Sequence, residues 1–155
     1  MTDNPSPRPL FRWWALALIA LLSLPAAWLV FIAEGWTVNR LVVRIWSIAR
    51  QFWPPMRPDD MDAILNTALF VPLGLLAALW APRVLWWVWG LIGLAGSVSI
   101  ELLQYLFLPR DASGWDVFFN TLGAFLGAAI GEGINRAIIW ARGRAAQPRS
   151  TQPEA

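Results

Sequence analysis

Cysteine, histidine and lysine are all missing from these 155 residues. Without the first two there can be no disulfide, no Cys/His zinc site, no haem ligation by either residue and no Ser-His or Cys-His nucleophile pair. Any chemistry is left to carboxylates, arginines, amides and hydroxyls. Charge is scarce as well: 14% of residues are charged, where a soluble domain has about 25%. Hydrophobic residues make up 57% of the chain and the mean hydropathy is +0.50. That balance places the chain in the membrane class. The net charge of +2 comes from arginines at the edges of apolar runs, which gives no case for a nucleic-acid partner.

The long runs define the organisation. Residues 1–12 are polar and proline-rich, the composition of a disordered tail. Trp13 to Ala33 carries no charge and is bracketed by Arg12 and Glu34. A membrane-spanning helix needs about 20 such residues, whereas a signal peptide has a shorter apolar core and a small-residue cleavage site. A retained first span over 13–33 is therefore expected. In the segment 36–53, Arg40, Arg44, Ser47 and Gln51 form one stripe at helical spacing, and Leu41, Ile45, Ile48 and Phe52 form an apolar stripe beside it. This pattern predicts an amphipathic helix lying in the membrane interface, ended by Pro54 and Pro55. Further spans are expected at about 63–80, 84–108 and 115–140, followed by a basic flexible tail over 142–155. The fold class is thus all-α: four transmembrane helices plus one interfacial helix between the first and second spans, in one membrane domain over 13–141. Trp13, Trp14, Trp36, Trp53, Trp80, Trp86, Trp87, Trp115 and Trp140 fall near the span ends, where aromatic belts form.

Four spans put both termini on one side. Arg8, Arg12, Arg83, Arg136, Arg142, Arg144 and Arg149 fall there, against Arg40, Arg44, Arg50, Arg57 and Arg110 on the other. Positive residues favour the cytoplasm, so both termini are expected inside and the 110–114 loop outside. The same topology gathers the polar residues of the spans. Asp62 and Asn66 share a face at the start of the second span, Glu101 and Gln104 a face near the end of the third, and Asp116 and Asn120 a face at the start of the fourth. With Arg110 in the adjoining loop, these seven form a candidate ligand-binding pocket open to the outer side. Glu101 and Asp116 are the candidate acid and base. Gly93 and Ser97 lead towards Glu101, and Gly123, Gly127 and Gly131 continue from Asn120, as small-residue stripes suited to close helix packing. Membrane amides and glycine stripes often serve assembly alone. A buried intramembrane carboxylate argues for a functional role.

The residues MDAILNTALFVPLG, then S-x-x-x-E-x-x-Q, then RDASGWDVFFNTLGAFLG resemble the VanZ-like family of bacterial membrane proteins. The resemblance covers Asp62 to Gly131 and maps family positions onto Asp62, Asn66, Pro72, Gly74, Ser97, Glu101, Gln104, Arg110, Asp116, Asn120, Thr121, Gly123 and Gly127. Many relatives have a lysine after the first aspartate and a histidine for the asparagine; here Ala63 and Asn66 stand instead. The family's namesake accompanies glycopeptide resistance clusters and is associated with resistance to teicoplanin. The resemblance implies a multi-pass protein of the bacterial cytoplasmic (inner) membrane and cell envelope. Binding of a lipid headgroup, a lipid-linked wall precursor or a lipophilic glycopeptide asks least of the residues. A small enzyme using Glu101 and Asp116 is the alternative, with a transporter subunit behind it. A metal held by Asp62, Glu101 and Asp116 is a further alternative, though few acidic residues support it. No cofactor is expected, and a homo-oligomer would enlarge the site.

Overall fold

The computed structural model describes residues 12–31, 35–108 and 113–145. The described residues form five helices and no strand: α1 (Trp13–Phe31), α2 (Gly35–Phe52), α3 (Pro58–Trp80), α4 (Trp86–Phe107) and α5 (Gly114–Ala145). Three of them, α3, α4 and α5, are long and apolar enough to cross a membrane. The charge-free run expected as a first span is the helix α1, of 19 residues. The fifth helix continues to Ala145, so residues 142–145, expected as tail, are helical. Arg142 and Arg144 belong to its last turn, where cations offset the helix dipole.

Helix α3 begins at Pro58, whose missing N–H costs nothing in a first turn. The Asp60 carboxylate accepts the Arg57 backbone N–H at 2.8 Å and fixes the entry of the chain. Pro72 lies inside α3, where the carbonyl one turn earlier loses its donor. Helix α5 is central: it packs along α3 on one side and along α4 on the other, while α3 and α4 touch little.

The α3–α5 contact is backbone on backbone. A side chain at Gly123 would meet the carbonyl oxygen of Thr67, one at Gly127 that of Val71, and one at Gly131 that of Leu75 at 2.8 Å. Gly74 stands in the same relation to the carbonyl of Ala124. Both series rise together at four-residue intervals, so α3 and α5 run parallel. On the other side, Gly90 faces Phe125, Gly93 faces Ala124 and Ser97 meets Asn120, which makes α4 antiparallel to α5. Helix α1 starts where α3 ends. The Arg12 N–H donates to the Trp80 carbonyl at 2.8 Å, and Ala15 is buried against Leu76 and Leu79.

Helix α2 lies against the start of α3. Val42 is buried, and the Trp46 indole donates to the Met56 carbonyl at 2.9 Å. Leu41, Ile48 and Phe52 are exposed, and Arg40 stacks over Trp36 at 3.7 Å. The apolar and basic faces expected of an interfacial helix are therefore both on the outside. The tryptophans at helix ends are mostly exposed, but Trp80 turns inward and packs on Trp89 at 5.8 Å between ring centres.

Candidate functional site

The site lies at the end of the bundle where α3 and α5 begin and α4 finishes. Ser113, directly before α5, holds it together. Its backbone N–H donates to Glu101 Oε2 at 2.7 Å, and its hydroxyl oxygen accepts the Asp116 N–H at 3.3 Å. Glu101 is only 7% exposed. A carboxylate at this place is stabilised by a charge-assisted hydrogen bond and by the positive end of the α5 dipole. One turn deeper, the Asn120 amide donates to the Ser97 hydroxyl at 3.0 Å, with both side chains buried. The Asn120 amide oxygen is enclosed without a donor.

Outside this buried ladder a cleft of about 400 Å³ opens between the first turns of α3 and α5. Asp59, Asp60, Asp62 and Asp116 supply its charge, Trp115 and Phe119 its aromatic wall, and Ser113 its inner edge. Asp62 and Asp116 approach from opposite helices, close enough to repel one another. Trp115 stacks on Phe119 at 6.1 Å.

The expected pocket residues thus fall into two connected groups. Asp62 and Asp116 line the open cleft; Glu101, Gln104 and Asn120 are buried on the α4–α5 side. Ser113 belongs to both groups. Asn66 is half-buried on α3, and Arg110 lies outside the described residues, as does its neighbour Asp111. The packing residues Ser97, Gly123, Gly127 and Gly131 are buried, and Gly93 is half-buried against Ala124. Among the described residues no three carboxylates gather closely enough to hold a metal ion, so the alternative of Asp62, Glu101 and Asp116 as a ligand set does not fit the geometry.

Several contributors were not foreseen. Asp59 and Asp60 fall between the expected interfacial helix and the second span, although Asp59 stands three residues before Asp62 and so shares its face. Ser113 has no sequence signal beyond its place before a helix. At the opposite end of the bundle, Asn135 is 1% exposed and donates to the Ala78 carbonyl at 3.0 Å. Its signal was present: it continues the Gly123, Gly127, Gly131 series by one more step of four.

No curated protein and no solved structure matches the chain significantly. The family model described as VanZ/LLP1 matches residues 11–135, which takes in α1 to α4, the bridging Ser113 and most of α5. The order of aspartate, E-x-x-Q and D-x-x-x-N-T-x-G along these helices, together with that match, establishes that the chain belongs to the VanZ/LLP1 family.

Proposed function

We propose that this chain is a four-span protein of the bacterial cytoplasmic membrane, with both termini in the cytoplasm, that binds the polar head of an envelope amphiphile in the cleft between α3 and α5. The observation that carries this reading is the bond from Ser113 to Glu101. It ties a buried carboxylate, of the kind that marks function inside a membrane, to the edge of an open cleft. Helix α1 supports the fourth span: 19 residues extend about 28 Å, close to the hydrocarbon thickness of about 30 Å. Its start beside the end of α3 is the arrangement that a hairpin through the membrane, with α2 on the outer surface, requires.

The electrostatics narrow the ligand. Asp59 faces Arg57 at 3.7 Å and Asp60 holds the Arg57 N–H, so Asp62 and Asp116 with the aromatic wall are the groups that suit a cationic amine, held by charge and by the ring faces. A bare phosphate would be repelled there. The class is an amine-bearing lipid headgroup, lipid-linked wall precursor or lipophilic glycopeptide, with the apolar part left in the bilayer. Engagement of such a molecule is the route by which the chain would contribute to teicoplanin resistance.

The test is thermal melting of the purified protein in micelles with phosphatidylethanolamine, a lipid-linked wall precursor and teicoplanin, each beside its N-acetylated form. An amine-bearing member should raise the melting temperature, its acetylated form should not, and Asp116→Asn should abolish the shift. A panel without any shift, or an equal shift with the acetylated form, contradicts the reading. A second reading rests on Glu101 and Asp116 both being anchored to Ser113. As a buried carboxyl and a cleft carboxylate they are placed for acid–base chemistry. Turnover of a panel member, lost in both Glu101→Gln and Asp116→Asn, would establish it.

A further inference from the structure

A second cavity lies away from the acidic cleft and shares no lining residue with it. It is an apolar crevice of about 440 Å³ between α1, α3 and α4, lined among others by Leu16, Ile19, Leu73, Trp80, Trp89 and Gly96. Along α3 it runs from Leu69 to Trp80. Eleven residues of helix rise about 16 Å, close to the roughly 15 Å depth of one leaflet's hydrocarbon.

Two features of its Trp80 end identify an occupant. Trp89 lines the crevice, and its indole N–H is buried without an acceptor. Buried donors are ordinarily paired. Positive charge also collects at this end. Arg12 is anchored through its backbone to Trp80, and Arg83 stands in the turn between α3 and α4. Neither α1 nor residues 81–100 contain an acidic residue, and on the lower part of α5 Glu132 is held by Arg136 at 2.9 Å.

We infer that the crevice is a binding site for one acyl chain of an anionic phospholipid from the leaflet beside Trp80, Arg12 and Arg83. In the orientation proposed above this is the cytoplasmic leaflet. The chain fills the groove along α3, an ester oxygen supplies the acceptor for Trp89 Nε1, and the phosphate lies among the arginines. The site is separate from the cleft, so its fate does not decide the reading of Glu101 and Asp116.

Gly96 makes the test clean. A side chain there meets no atom within 4 Å, so Gly96→Leu fills the crevice without forcing helices apart. The measurement is native mass spectrometry of the full, delipidated chain titrated with phosphatidylglycerol or phosphatidylcholine. Wild-type protein should retain one phosphatidylglycerol and bind phosphatidylcholine about tenfold or more weakly, the effect of two arginines near the surface. Gly96→Leu should lose the bound lipid while melting at or above the wild-type temperature. Gly133→Leu, also in open space but off the crevice, should bind as wild type. Trp89→Phe keeps the ring and removes the donor, and should weaken retention about two- to tenfold. Undiminished retention by Gly96→Leu or Trp89→Phe, or equal retention of the two lipids, overturns the assignment. So does a change from dimer to monomer in Gly96→Leu with lipid retention intact, which would make a second copy of the chain the occupant.

Discussion

At the scale of single residues, the buried amides do different work at the two ends of the bundle. Asn120 joins α5 to α4 through Ser97, beneath the site. Asn135 joins α5 to the end of α3 through the Ala78 carbonyl. That carbonyl would ordinarily accept the N–H of residue 82, but residue 82 is proline and has none. Asn135 is therefore a cap supplied by another helix to an orphaned carbonyl. Asn135→Leu should leave this carbonyl buried without a donor and cost about 1–3 kcal/mol. Thermal melting in micelles checks this: the melting temperature falls while ligand-dependent shifts at the far cleft persist. An unchanged melting temperature would show that the carbonyl finds another donor.

At the scale of helices, the stripe Gly123, Gly127, Gly131 is the seam of the molecule. A methyl group at Gly127 would collide with the Val71 carbonyl and approach the Leu75 nitrogen to 2.8 Å. Neither can move without shifting α3. Gly127→Ala should therefore destabilise by about 1–3 kcal/mol and lower the amount of protein in the membrane. Gly133→Ala meets nothing within 4 Å and should be neutral or stabilising by up to about 1 kcal/mol. Abundance and melting of the two variants side by side decide it; an equal effect would mean that the seam is not a close backbone contact. The stripe was legible because close packing demands small residues on the approaching helix. Its partner was not, because Thr67, Val71 and Leu75 contribute carbonyls, which every residue has. The parallel direction of α3 and α5 follows from the alternation of spans, but their direct contact leaves no mark in the sequence for the same reason. The α4 stripe ending in Glu101 and Gln104 was legible in full, since burial selects its small and polar members together. The cleft was half legible: Asp62 and Asp116 stand out by their spacing from asparagines, but Ser113 acts through a backbone N–H.

At the scale of the whole molecule, the described helices place the acidic cleft at one end and Arg12, Arg83 and the basic last turn of α5 at the other. Arg57 and the three arginines of α2 stand at the cleft end, so the orientation proposed above rests only on the larger number of arginines at the other end. A reporter fused after Arg142 should be active only in a cytoplasmic assay; activity outside would invert the orientation and turn the cleft inward. The central claim is that Glu101 serves the cleft through its charge and is not merely part of the assembly. Glu101→Gln tests it most directly, because the amide keeps the shape and an oxygen to accept the Ser113 N–H while removing the charge. Membrane abundance and melting are measured beside teicoplanin susceptibility, the protection proposed above, in cells that express the chain. The variant should accumulate and melt as wild type yet lose the protection. Full protection by Glu101→Gln at normal abundance would contradict the account, leaving the buried carboxylate with a purely structural part.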